Sequence, residues 1–67
     1  MKKRFINERG RRIAIEVTRR IGRYQNSRRR GPLVHVEIIG PDSTVELDMT
    51  PGEAEVLTDL LLEAEQE

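Results

Sequence analysis

The residues of this sequence best suited to chemistry are six arginines in the segment RRIGRYQNSRRRG, residues 19–31. They are Arg19, Arg20, Arg23, Arg28, Arg29 and Arg30. A guanidinium group is a permanent cation whose planar set of donors matches the oxygens of a phosphate. Tyr24, inside the segment, could stack on a base or lie along a groove. The segment therefore predicts binding to nucleic-acid phosphates, and Asn26 and Ser27 could add hydrogen bonds.

Charge is separated along the chain. Residues 1–30 contain all twelve Lys and Arg residues and only two acids, whereas residues 31–67 contain ten acids and no Lys or Arg. The formal net charge of zero therefore combines a half with a net charge of +10 and a half with −10. Such asymmetry indicates a nucleic-acid or protein partner. A monomer whose two halves neutralise each other would give the same counts.

Other chemistry has little support. Glu37, Glu46 and Asp48 could act as paired carboxylates, but acids that alternate outward along strands are typical of a solvated surface. There is no nucleophile-and-base set and no phosphate-binding glycine loop. The absence of cysteine excludes disulfides and cysteine-ligated zinc, and His35, the single histidine, is most simply a surface residue. We expect no enzyme activity, no metal and no cofactor.

Two segments alternate with the period of a half-buried strand. Their inward positions are Val34, Val36 and Ile38 in the first and Val45, Leu47 and Met49 in the second. Between them, Pro41 in the sequence GPDS has the fixed φ that the second position of a turn favours. These segments predict a hairpin.

The strongest local signals predict a helix from about Pro51 to Ala64. Thr50 suits the N-cap position, Pro51 suits the first helical position, and Glu53 completes a capping box. Apolar residues then recur at spacings of three and four, at Val56, Leu57, Leu60, Leu61 and Ala64. Leu62 lies off this stripe and is a candidate partner contact.

Residues 12–24 fit two patterns. Strand alternation is present at Ile13, Ile15 and Val17, and helical spacing is present at Ile13, Val17, Ile21 and Tyr24. A helix here would be an arginine-rich nucleic-acid-binding helix. We favour a strand because Ile15 fits only the strand pattern. Arg19 interrupts the apolar face, so we expect the distal half to leave the sheet as a ribbon.

These elements predict an α+β fold. Residues 13–67 would form a three-stranded antiparallel meander sheet with one C-terminal helix packed on one face (β-β-β-α), after a basic tail of residues 1–12. The arginine loop would lie at the end of the sheet where the helix starts. The cations of the tail would lie at the other end, where they could offset the acids at the C-terminus of the helix.

The core is expected to be small. Phe5 and Tyr24 are the only aromatic residues, and a chain of this length buries only about 60% of its unfolded surface. We therefore expect a homodimer whose copies share a sheet or pack helices, using the free edge of the first predicted strand. No apolar run reaches the length of a membrane span, and no signal-type stretch follows MKKRF. We expect a cytoplasmic protein of bacterial or viral origin.

The order of elements carries a resemblance. Three strands followed by one C-terminal helix, with GRY (residues 22–24) in the first hairpin, resemble the amino-terminal arm-binding domains of tyrosine-family integrases. The resemblance implies a sheet laid into the major groove of DNA, and it favours DNA over RNA. The segment MTPGEAEVLTDLLLEAEQE also resembles the closing helix of small uncharacterised proteins of high-GC bacteria and their phages, which implies no function.

Two hypotheses of function follow. The first is a small nucleic-acid-binding accessory or regulatory module that uses the arginine-rich hairpin loop. The second is a protein-interaction module, such as a phage-encoded modulator of a host complex, that acts through a strand edge and the acidic helix.

Overall fold

The computed structural model describes residues 1–24 and 27–66 and contains one antiparallel sheet followed by one helix. The strands are β1 (Lys2–Ile6), β2 (Arg12–Arg23), β3 (Arg30–Ile39) and β4 (Thr44–Met49), in the sheet order β1-β2-β3-β4, and the helix is α1 (Pro51–Glu65). The predicted α+β class, the meander order and the strand in the ambiguous segment are confirmed. Among the described residues, no helix combines the length and the apolar character needed to cross a membrane.

The sheet has four strands, so the predicted tail of residues 1–12 and the three-stranded sheet are wrong. Residues 2–6 pair with β2, and the N-terminal amino group donates to the carbonyl oxygen of Val17 at 2.8 Å. In the turn, the side-chain oxygen of Asn7 accepts from two backbone N–H groups, and Gly10 has a φ of +75°. The free edge predicted for the first strand is therefore absent over residues 14–16, where β2 lies between β1 and β3. Three consecutive basic residues hid the alternation of β1.

The register gives the sheet two different faces, because residues paired across antiparallel strands point to the same side. We call one side the apolar face; its apolar members are Phe5, Ile13, Ile15, Val17, Ile21, Pro32, Val34, Val36, Ile38, Val45, Leu47 and Met49. We call the other side the charged face; its ionisable members are Lys2, Arg4, Arg12, Glu16, Arg20, His35, Glu37, Glu46 and Asp48. The predicted inward residues of the strands therefore do share one face.

The start of the helix is the predicted capping box. The Thr50 hydroxyl accepts from the backbone N–H of Glu53 at 3.2 Å, and the Glu53 carboxylate accepts from the backbone N–H of Thr50 at 2.8 Å. The helix does not pack across the sheet, however, and this part of the prediction is wrong. Within residues 1–24 and 27–66 it approaches only β3 and β4, and none of the residues Pro51–Glu65 is buried. Thr50 alone separates β4 from α1, so any turn of the helix back over the apolar face would have to be made at that residue.

Consequently the molecule is elongated. Its principal extents are 43 × 28 × 19 Å and its radius of gyration is 14.0 Å, whereas a compact chain of this length has about 11 Å. Among the described residues, the buried hydrophobic side chains are Leu33 and Met49, with exposed fractions of 7% and 9%. Leu33 lies in β3 and Met49 lies in β4, and both are near the start of the helix.

Candidate nucleic-acid interface

The sheet narrows to two strands at one end. Pairing with β1 ends at Glu16 and pairing with β4 ends at Val34, whereas β2 and β3 stay paired as far as Arg23 and Arg30. We call residues 20–23 and 30–33, with the loop that joins them, the arginine ribbon. Its paired part is about 13 Å long at the usual rise of a strand. The expected ribbon is present as a two-stranded extension of the sheet, in which β2 stays paired with β3.

Two glycines shape the ribbon. Gly22 and Gly31 are direct cross-strand partners on the side of the charged face. A methyl group at Gly22 would lie 2.7 Å from Cδ1 of Leu33, and one at Gly31 would overlap the hydroxyl group of Tyr24. The glycines thus leave room for a leucine and a tyrosine to lie across the backbone. Those two side chains cover the ribbon on that side only.

The opposite side of the ribbon carries unpaired cations. Arg23 lies directly opposite Arg30, and Arg19 lies on the same side further along β2. All three are exposed. No ion pair joins any of them to an acid within residues 1–24 and 27–66. Like charges directly opposite each other destabilise a sheet, so this pair would be stabilised by an anion.

The tip of the ribbon adds two more cations. Arg28 and Arg29 are exposed in the loop, where the backbone N–H of Arg29 donates to the hydroxyl of Ser27 at 3.0 Å. The backbone N–H of Tyr24 donates to the carbonyl oxygen of Arg29, also at 3.0 Å, which closes the loop. The hydrogen bonds predicted for Asn26 fall outside the described residues.

Two predicted site residues, Arg20 and Tyr24, lie apart from this group. Arg20 is on the charged face and forms an ion pair with Asp48, so its charge is already compensated. Tyr24 is half-buried over Gly31, with its hydroxyl 3.5 Å from the carbonyl oxygen of Pro32. The structure therefore places Arg23 and Arg30 side by side, Arg19 on their side, and Arg28 and Arg29 at the tip.

Sequence reasoning missed a polar cluster centred on Asp48. Its carboxylate accepts from Arg20 and lies 2.8 Å from Nδ1 of His35. The hydrogen bond with His35 lowers the pKa of the Asp48 carboxyl, and the charge of Arg20 acts in the same direction. Nε2 of His35 also lies 3.9 Å from Oε2 of Glu37 and 3.8 Å from Oε1 of Glu46. His35 is half-buried and links two strands, so it is more than the simple surface residue that we expected.

The same cluster is the part of the described chain most like a metal site. Donor atoms of His35, Glu37 and Glu46 all lie within 4.8 Å of one another. Glu37 lies directly opposite both Glu16 and Glu46, so three carboxylates form a row across β2, β3 and β4. With Asp48, this face carries four carboxylates. Phosphates laid flat against the charged face would be repelled by them.

The acids nearest the ribbon already have partners. Asp48 is paired with Arg20, and Glu53 is held in the capping box, where the backbone hydrogen bond from Thr50 lowers the pKa of its carboxyl. They therefore do not neutralise the cations on the far side of the ribbon or at its tip.

Among the described residues, β1 and α1 do not approach each other. Nζ of Lys2 lies 3.7 Å from Oε2 of Glu16 in β2. Within the part of the chain that the structure describes, the helix approaches only β3 and β4. The basic N-terminus therefore does not offset the acids at the end of the helix, and that expectation is wrong. Leu62 is 52% exposed, like the other leucines of the helix, so exposure alone does not single it out as a partner contact.

Comparisons of the chain with protein-family models, with curated proteins and with solved structures found no match. Support for a function comes from the geometry and charge of the chain itself.

Proposed function

We propose that this protein binds nucleic acid, DNA in preference to RNA, through the arginine ribbon, and that it is an accessory or regulatory module without catalytic activity. The observation that carries the proposal is the cross-strand pair of Arg23 and Arg30. Both side chains are exposed, and neither forms an ion pair within the described residues. Phosphate oxygens would remove the repulsion between these two guanidinium groups.

The width of the ribbon supports DNA as the target. The major groove of B-DNA, about 12 Å wide, admits a two-stranded β-ribbon. A four-stranded sheet spans about 14 Å between its outer backbones alone, so only the two-stranded end of this sheet fits the groove. The major groove of an RNA helix is deep and narrow and does not admit side chains.

The contacts with phosphates would be made by the exposed arginines of the ribbon and by the one at the point where the ribbon joins the sheet. Arg23, Arg28, Arg29 and Arg30 would bind phosphates, and Arg19 would bind one where the ribbon joins the sheet. Arg20 and Tyr24 take no part, because the first is paired with Asp48 and the second lies over Gly31.

The test is the salt dependence of binding to a DNA duplex. The logarithm of the association constant should fall with the logarithm of the salt concentration, with a slope of about −0.9 for each phosphate neutralised. Replacing Arg28, Arg29 and Arg30 together by Ala should weaken binding and flatten that slope by about two to three units, if each contacts one phosphate. Fluorescence anisotropy with a labelled duplex measures both quantities.

A matched control lies at the other end of β2. Arg9, Arg11 and Arg12 are also exposed, and their replacement by Ala removes the same number of charges. That variant should keep the slope of the parent protein almost unchanged. Equal losses in the two variants would mean that only total positive charge matters, and would contradict the proposal. A parent protein that does not bind at about 50 mM salt would do the same, and would favour a basic protein surface as the partner of the acidic helix.

A further inference from the structure

In the part of the chain that the structure describes, two apolar surfaces are left uncovered. The first is the helix stripe, Val56, Leu57, Leu60 and Leu61, whose exposed fractions lie between 38% and 59%. The second is the apolar face of the sheet, where Ile38, Val45 and Leu47 are between 39% and 51% exposed. A sheet face and a helix stripe are the two halves from which α+β cores are built. Here neither half covers the other.

The surface area shows how much is left uncovered. The chain exposes 6083 Å², whereas a folded monomer of 7.8 kDa exposes about 4,400 Å². The difference is about 1,700 Å² per chain, and two chains that each buried it would share an interface of about 3,400 Å². Interfaces of obligate homodimers fall between roughly 2,000 and 5,000 Å². The excess is therefore as large as a permanent dimer requires.

We propose that a second copy of this chain covers both surfaces by reciprocal exchange, so that the helix stripe of each copy packs on the apolar face of the other. A two-fold axis makes the arrangement self-complementary, because each copy gives one helix and receives one. The geometry of β4 and α1 favours exchange over closure within one chain, since a single residue joins them. This inference does not depend on nucleic-acid binding.

The charges around the two surfaces are complementary. Within the strands, the apolar face carries Lys3, Arg19, Arg23 and Arg30 and no carboxylate. The helix carries five acids, Glu53, Glu55, Asp59, Glu63 and Glu65, and no Lys or Arg. Acids near the C-terminus of a helix are unfavourable for its macrodipole. In a second sheet Lys3, which takes no part in the arginine ribbon, would offset acids of the helix.

The arrangement is also compatible with the arginine ribbon. Ile38 and Val45 lie in the four-stranded part of the sheet and Leu47 lies in the next row, whereas Arg28 and Arg29 lie in the loop beyond the ribbon. A dimer formed in this way leaves two ribbon tips uncovered.

The direct test is the mass of the full chain in solution. Sedimentation equilibrium at micromolar concentration should give twice the chain mass of 7.8 kDa. Replacing Leu60 and Leu61 together by Gln should raise the dissociation constant by at least about 100-fold, because two buried leucines are lost from each copy. A parent protein that remains monomeric at about 100 µM would overturn the inference.

Leu62 provides a matched control on the same helix. It is 52% exposed, close to the 57% and 59% of Leu60 and Leu61, but it lies off the helix stripe. Leu62→Gln should leave the dissociation constant within a few-fold of the parent value. If it weakened the dimer as much as the double variant, the assignment of the stripe would be wrong. Circular dichroism would show whether each variant keeps its sheet.

Cross-linking distinguishes helix exchange from other dimers. The chain has no cysteine, so Leu47→Cys on the sheet and Leu61→Cys on the helix each introduce a single thiol. An equal mixture of these two variants should be joined by a short bismaleimide more efficiently than either variant alone. If Leu61→Cys alone were cross-linked as efficiently as the mixture, the two helices would pack on each other. If Leu47→Cys alone were cross-linked as efficiently, the two copies would share a sheet edge. Either result would contradict the proposed exchange of helices.

Discussion

Asp48 connects three strands through a single carboxylate. It pairs with Arg20 of β2 and with His35 of β3, although it belongs to β4. Alternation in the sequence predicted that Asp48 and His35 point outward, but it could not predict their contact with Arg20, 28 residues away. That contact depends on the register of both neighbouring strand pairs. The same limit applies to Arg20 and Tyr24, which belong to the arginine-rich segment but lie on the side opposite Arg19, Arg23 and Arg30.

Asp48 should make the stability of the protein depend on pH in the acid range. Its pKa is lower in the folded protein than the usual value of about 3.9. The ionised form therefore favours folding, so the contribution is complete above the unfolded-state pKa and is lost as pH falls through the lower folded-state pKa. Urea midpoints of the parent protein and Asp48→Asn should differ most above about pH 5 and converge towards about pH 2.

Asp42→Asn is the control for this comparison, since it removes the same charge from the turn between β3 and β4. Its midpoint should track that of the parent protein over the whole range. A difference between the parent and Asp48→Asn that stayed constant with pH would show that the hydrogen bond with His35 does not favour the ionised carboxylate.

Local sequence signals predicted those elements whose formation depends only on their own residues. The capping box of Thr50 and Glu53 lies within four consecutive residues, and the hairpin of β3 and β4 follows from alternation and a turn. β1 could not be predicted in this way, because only Phe5 marks its apolar side within the strand. Local sequence also could not predict where α1 packs, because its apolar stripe fits any apolar face, including that of another molecule.

The capping box should control the amount of helix. An isolated helix of 15 residues is marginal in water, and Thr50→Ala removes an N-cap contribution of about 1 kcal/mol. We expect less helical circular dichroism and a lower melting temperature. In the control, Thr58→Ala, the lost hydroxyl donates to the carbonyl oxygen of Ala54 inside the helix. Alanine is the better helix former there, so Thr58→Ala should be neutral or stabilising, and an equal loss in both variants would contradict this account.

Charge counts along the sequence predicted two oppositely charged halves of the molecule. In the structure the charges are separated by the face of the sheet as well as by position along the chain. Lys2 with Glu16 and Arg20 with Asp48 pair cations of the first half with acids on the charged face. Among the described residues, the cations in no ion pair include Arg23, Arg28, Arg29 and Arg30 of the ribbon, but also others such as Lys3 and Arg4 in β1. Which charges remain free depends on the side to which each strand turns them, and that requires the register.

The meander order also determines how the molecule can fold. Every strand pairs with its neighbour in sequence, so the sheet needs no long loop closure and should form quickly in a single chain. The exchange of helices needs an encounter between two chains. Refolding followed by stopped-flow circular dichroism should therefore show a fast phase independent of protein concentration and a slower phase whose rate rises with it. The Leu60→Gln, Leu61→Gln variant should keep the first phase and lose the second. A second phase that did not depend on concentration would mean that the helix finds its place within its own chain.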